Sequence, residues 1–333
     1  MKIDIIIPCY YSDDIIRPCL QSIAEQTLIK DINVIIVNDC SPNTKDEYQS
    51  LISEFNHIMS IKYLKTQTNV GPGAARQLGL DVSTANWIMF IDDDDELYDE
   101  CAIETLTKHI KPSVLSISGR SLILFDKNYS QFEVHEASTH HQGTLYNRVL
   151  LKSLDIKFDS RLSYREEDGA FSSAVLYSAI GNNYELVFLN DLVYTKKCCI
   201  DGYTSLTSKP IDAECAINFL GLKALEIKYK KLYKYMENEI DEQLIVIANM
   251  LDYIANYCSY PIDQRQYTNL ESYIKEIEPY IRNNYPIKEP SIYCDMYNQV
   301  FANVYKKFDY ETFITFCTEY ENWLKKVKVK NNL

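Results

Sequence analysis

Four consecutive aspartates, Asp92, Asp93, Asp94 and Asp95, follow the apolar run Trp87–Ile91. Adjacent carboxylates repel one another unless a counter-charge sits among them. Hard oxygen donors of this kind suit Mg2+ or Mn2+, which bridge carboxylate and phosphate oxygens. A solvated acidic turn is the plain alternative, but a position just past a strand favours the metal. A second acidic pair, Glu167 and Asp168, stands before the helical stretch at Gly169. Acidic residues cap helix starts; a carboxylate there also suits a base that takes the proton of an attacking hydroxyl. The third group runs from Asn69 through Gly71, Pro72 and Gly73 to Arg76. Small residues at a helix start let backbone N–H groups approach a phosphate, and Arg76 adds a charge-assisted donor. The spacing is not that of a dinucleotide-binding loop, because Gly79 comes too late. Asp39 follows in Asn38–Asn43, either as part of an Asx-turn or as an acceptor for a ring N–H such as that of uracil.

The elements needed to hold these groups alternate. Ile3–Ile7 is a short apolar run broken at Pro8. Helical spacing covers Asp14–Gln26, and Ile32–Val37 is a second apolar run. A helix around Thr44–Phe55 follows, then a strand at Ile61–Leu64. Gly71 opens a helix through Leu80, and Trp87–Ile91 is a fourth strand. Strands alternating with helices predict a parallel sheet with helices on both faces, with ligands bound past the C-terminal strand ends. Pro8, Cys9 and Tyr10, Asp39, the 69–76 segment and the aspartate run all fall there. They are expected to converge although almost ninety residues separate the first from the last. Residues 113–210 mix short strands (Val114–Ser118, Ser121–Phe125, Leu186–Leu189, Leu192–Thr195) with helices at Asn147–Leu154 and Gly169–Ser178. From Pro210 onward amphipathic helical patterns dominate. The expected division is a catalytic domain over 1–210 and a helical module over 211–333 that binds acceptor or makes a homo-oligomer.

Composition bounds the function. The 333 residues carry 34 basic and 47 acidic side chains, a net charge of −13. Such a chain is repelled by duplex DNA. No apolar run reaches the eighteen or so residues of a membrane span, and Met1–Asp4 opens no signal peptide. The ten cysteines show no C-x-x-C pair, so reduced thiols in a reducing compartment are expected. A cytoplasmic protein follows. The basic tail Lys325–Lys330 reads as a solvated helix end, with weak contact to anionic lipid headgroups at the inner membrane face as the alternative.

In order, these pieces resemble family 2 glycosyltransferases of the GT-A fold over about residues 2–210. The resemblance rests on Ile5–Tyr10, Leu20–Thr27, Val37–Ser41, Asn69–Gly79, Phe90–Asp95, and Tyr146–Leu151 followed by Glu167–Phe171. It implies an inverting transfer of one sugar from a nucleotide-sugar, mostly a UDP-sugar, to a hydroxyl acceptor such as a glycan. By the same resemblance Asp39 binds the base and Asp92 contacts ribose or metal. Asp94 is the principal ligand of Mn2+ or Mg2+, Arg76 braces the donor site, and Asp168 is the base with Glu167 beside it. Asn38 and Gln77 depart from the family pattern in a tolerable way. Tyr194–Lys209 lacks the His that completes the metal or diphosphate site in many relatives, leaving Asp201, Lys196 or Lys197 as substitutes, or water ligands on the metal. His140 and His141 read as a structural pair, or as lining of the acceptor side. A nucleotidyltransferase on a related scaffold, and sugar transfer to a protein or a modified nucleobase, are the competing readings.

Overall fold

The computed structural model describes residues 2–12, 15–42, 47–125, 130–158 and 167–198. The helical module read at 211–333 and its basic tail lie outside the described residues. So does Asp201.

The chain opens with β1 (Ile3–Cys9), α1 (Ile16–Ala24), β2 (Ile32–Asn38), α2 (Glu47–Phe55), β3 (Ser60–Lys65), α3 (Pro72–Val82) and β4 (Trp87–Phe90). β3, β2, β1 and β4 lie side by side and parallel, as the alternation predicts. β1 and β4 are buried throughout, as strands covered on both faces should be. Ile5, Ile7, Val34, Ile36 and Met89 face one core, sealed by α1 and α2. Ile6, Ile35, Val37, Ile88 and Phe90 face the other, sealed by α3 and α6 (Glu167–Asn182).

Pro8 does not end β1, which runs on to Cys9 in register with Asn38. The Ile6 carbonyl accepts from Ile91, toward β4, and the Cys9 carbonyl accepts from Asp39, on the β2 side. Backbone groups alternate sides, so Pro8 turns its missing N–H toward β4. β4 pairs with β1 only as far as Phe90, and no ladder bond is lost.

Beyond β4 the sheet becomes mixed, so that the sheet is parallel over the alternating first half and mixed where short strands and helices were expected. β5 (Glu96–Leu97), α4 (Ala102–Thr107), β6 (Val114–Leu124), β7 (Phe132–His135), β8 (Thr144–Asn147), α5 (Arg148–Ser153), α6 and β9 (Glu185–Lys197) follow. The sheet order is β3-β2-β1-β4-β8-β6-β9-β5, with β7 on β6. β8 is antiparallel to both β4 and β6, whereas β9 is parallel to β6. Two pairs of short strands in the sequence are in fact two long ones. Gly119 and the polar Asn190-Asp191 look like turns, yet they sit opposite each other at an irregularity where Ser118 pairs with Phe188 and Arg120 with Leu192. A Cβ on Gly119 would lie 2.5 Å from a Val193 methyl, so the glycine permits close approach rather than a turn. No helix among the described residues is long and apolar enough to cross a membrane.

Candidate active site

The four segments expected to meet do meet. The Tyr10 amide donates to Asp93 at 3.3 Å. The Asp39 amide donates to the Cys9 carbonyl at 2.8 Å. The Asp39 carboxylate accepts from the amides of Val70 and Gly71, both at 2.8 Å, and from the Thr66 hydroxyl at 3.0 Å. Arg76 donates to Asp92 at 2.6 Å. The mouth of the parallel strands is thus one bonded rim.

Each residue reaches the rim differently. Cys9 does so through its carbonyl, its thiol being buried in the core. Pro8 is buried behind it, and Tyr10 stands 39% exposed with its ring edge-on to Tyr11. Asn69 is exposed on the loop that Asp39 pins. Gly71 has φ of +86°, a conformation that side chains with a Cβ resist, and Pro72 follows as the first helical residue. Three of the roughly four lone-pair positions of the Asp39 carboxylate are taken, leaving one for a ring N–H.

The aspartate run divides its work. Asp95 accepts from the Tyr194 hydroxyl at 2.8 Å and the Lys197 amide at 3.0 Å, tying the run to the end of β9. Burial, then the charges of Asp94 and Asp92, push Asp95 well above the ordinary carboxylate range. Asp93 holds β1 through Tyr10, and burial with the Asp94 charge raises it to about 8. Burial opposes charge on Asp92, but Arg76 and His141 override it and hold that carboxyl far below its usual range. Asp94 accepts only from its own backbone amide among the described residues, and burial and Asp92 raise it to about 6.

Arg76 lies between the two acidic groups. Its second guanidinium nitrogen donates to Glu167 at 3.0 Å, and its side chain is 6% exposed. Gly73 makes this possible: a Cβ there would lie 2.8 Å from Glu167 Cγ. Below the guanidinium, 5.9 Å from the ring centre, lies Phe158, which stacks on Phe171 at 4.3 Å. Glu167 is buried, and its other oxygen meets no protein donor among the described residues. Burial and Asp168 raise its pKa. Asp168 behaves in the opposite way: burial opposes charge, but His141, Arg76 and His140 hold its pKa down. It therefore stays ionised at neutral pH.

The histidine pair is where sequence reasoning fell short. His141 is 2% exposed, and its Nε2 lies 3.3 Å from Asp92. His140, His141 and Asp168 each offer a ligand atom within 4.8 Å of the others. The Tyr146 hydroxyl donates to the Thr139 carbonyl at 2.8 Å, and the Thr144 amide to the His141 carbonyl at 3.3 Å. β8 thereby anchors the preceding loop over the site. Of the substitutes read from sequence, Lys197 pairs with Glu96, and the charge of Lys196 acts on Asp94. An imidazole does stand beside the aspartates, but it comes from the segment before β8 rather than from the chain after β9. The adjacent His-His before a glycine was the available signal.

Oxygen donors from Asp92 and Asp94 fit a hard divalent cation. Among the described residues no other residue donates a hydrogen bond to Asp94, and burial first, then the neighbouring aspartate charges, raise Asp93 and Asp94.

Residues 4–167 match the model of the Glycosyl transferase family 2. Glycosyltransferase GlyA of Streptococcus pneumoniae is 28% identical over 258 residues, 75% of this chain and 35% of that protein. Poly(ribitol-phosphate) beta-N-acetylglucosaminyltransferase TarS of Staphylococcus aureus is 26% identical over 50% of this chain and 31% of its own length. The chain thus spans about a third of the length of these curated relatives. Among solved structures, S. aureus TarS 1-349 in complex with UDP-GlcNAc aligns with a TM-score of 0.57 at 18% identity, over 85% of this chain and 81% of that one. The mannosyltransferase PcManGT of Pyrobaculum calidifontis, in complex with GDP-Man and Mn2+, aligns at 0.52 and 14% identity, over 91% and 84%. The fold is therefore the GT-A type, and residues 4–167 form a family 2 glycosyltransferase domain by their match to that family's model.

Proposed function

We propose that the chain transfers a single sugar, with inversion, from a UDP-sugar to a hydroxyl on a cell-surface glycan. The observation that carries this reading is Arg76 gripping Asp92 with one nitrogen and Glu167 with the other. One side chain thereby fixes the donor end of the site to the base end. Named relatives that act on poly(ribitol-phosphate), and a structural neighbour holding UDP-GlcNAc, support the donor and acceptor classes.

Asp39 and the exposed ring of Tyr10 bind the nucleoside. The 69–71 loop and the start of α3 face the diphosphate. Asp94 and Asp92 would hold Mn2+ or Mg2+, which when bound would supply Lewis-acid stabilisation of the departing diphosphate. Asp168, kept ionised, accepts the proton of the acceptor hydroxyl as that oxygen attacks the anomeric carbon, with Glu167 and the histidines fixing its surroundings. Residues 211–333 are the proposed acceptor-binding or oligomer-forming module, with a basic tail suited to anionic lipid.

The test is Asp168→Asn. UDP-sugar binding in the presence of Mn2+, read by calorimetry, should persist while release of UDP in the presence of acceptor is lost. Turnover at the wild-type rate would remove Asp168 from the mechanism. Release of pyrophosphate from a nucleoside triphosphate would replace the reading with nucleotidyl transfer.

A further inference from the structure

The transfer reaction gives His140 and His141 no role as metal ligands. His141 is buried, and with its Nε2 turned to Asp92, its Nδ1 has no partner among the described residues. A proton on Nε2 leaves the Nδ1 lone pair free. This is the arrangement of a metal-bound histidine, whose other ring nitrogen donates to a carboxylate that orients it. His140 is exposed and shares its loop. Among the described residues the Asp168 carboxylate accepts only from the Gly169 amide, at 2.7 Å, and Arg76 is committed to Asp92 and Glu167. A ring nitrogen of each histidine and a carboxylate oxygen of Asp168 lie within 4.8 Å of one another. With bonds of about 2.1 Å, ligand atoms around Zn2+ sit roughly 3.4 Å apart, so small side-chain rotations close the triangle.

We infer that His140, His141 and Asp168 form a binding site for a borderline divalent ion such as Zn2+ or Co2+, separate from the hard-cation site at Asp92 and Asp94. Two imidazoles and one carboxylate select for such ions, whereas the all-oxygen aspartate site selects for Mg2+ and Mn2+. The ion takes the Asp168 lone pair that would otherwise accept the acceptor proton. Inhibition of sugar transfer follows from that; this consequence rests on the role of Asp168 proposed above, while the site itself does not.

The experiment titrates the full chain with Co2+ in excess Mg2+, reading the visible d–d bands of the metal. One equivalent should bind with imidazole-type bands. His140→Ala should weaken it by about tenfold or more, and Asp94→Asn should leave it within about twofold. Equal affinity in His140→Ala, or loss of the bands in Asp94→Asn, would overturn the site. X-ray absorption of the Zn2+-loaded wild-type chain needs no variant: two imidazoles in the first shell support the site, and none refutes it. In a UDP-release assay supported by Mg2+, Zn2+ should inhibit the wild type and act more weakly on His140→Ala. Binding with imidazole bands but without inhibition would uphold the site and count against Asp168 as the base.

Discussion

Arg76 donates to Glu167 at 3.0 Å across 91 positions of sequence, and the same guanidinium holds Asp92 at 2.6 Å. The fork geometry matters, because two carboxylates on different elements are each met by a separate nitrogen. Lysine offers one point charge and cannot reach both. Arg76→Lys should therefore free either Asp92 or Glu167, a loss of about 3–5 kcal/mol if the freed carboxylate stays buried and charged. Transfer should fall by roughly 100-fold, as expected when site groups shift by about an ångström. Denaturant melts and UDP-release rates on the same preparation check both; an unchanged rate would show that the bridge does not position the site.

Asp39 closes the loop at 69–71 by accepting two backbone amides. In Asp39→Asn one carboxylate oxygen becomes an NH2 group facing an N–H or a hydroxyl. The loop should loosen and UDP should bind more weakly, by about tenfold for the loss of a charged hydrogen bond. The overall melting temperature should move little, since the loop lies at the rim. Calorimetric titration of UDP decides it, and wild-type affinity would mean that Asp39 serves only the loop.

The acidic run makes stability depend on pH. Asp93 at about 8 and Asp94 at about 6 stay protonated in the fold beyond the ordinary aspartate value near 3.9. Between about pH 4 and 8 the folded chain then binds more protons than the unfolded one, so stability falls as pH rises. His140, whose pKa partial desolvation of the ring holds below its usual value although the residue reaches the surface, acts in the opposite direction below about pH 6.5. The readout is therefore the difference between wild type and Asp93→Asn. Without divalent cation, Asp93→Asn should show a shallower fall in Tm across that window, and Mn2+ should raise the wild-type Tm most at its alkaline end. Parallel Tm curves for the two proteins would mean that Asp93 does not titrate there.

Much of this was legible because it rests on local rules. Apolar runs gave β1, β2 and β4, and the parallel-sheet rule put Pro8–Tyr10, Asp39, Asn69–Arg76 and Asp92–Asp95 at one edge. What was not legible depends on tertiary contact. Gly119 looked like a turn because its reason is the Val193 methyl opposite. β5 and β8, of two and four residues, are too short to show a period. The division of labour within the aspartate run depends on which element each side chain faces, since the adjacent Asp92 and Asp93 meet Arg76 and Tyr10 respectively. His141 enters the site only because β8 inserts beside β4, antiparallel to it.

Gly73 gives the sharpest test of how the two ends of the site are joined. Its φ is helical, so alanine costs nothing in backbone conformation and would gain helix propensity of up to about 1 kcal/mol. The added methyl, however, would meet Glu167 Cγ at 2.8 Å and Cβ at 3.0 Å. Glu167 begins α6, so the contact is relieved by moving its side chain off Arg76 or the start of the helix away from α3. Either motion displaces Asp168, the next residue. Gly73→Ala should therefore keep most of its thermal stability, change UDP affinity little, and lose transfer by roughly 10- to 100-fold in kcat. Gly73→Ser, of similar bulk at Cβ, should behave alike. A fall in donor affinity with kcat intact would instead place Gly73 against the diphosphate, as its position in the small-residue segment first implied.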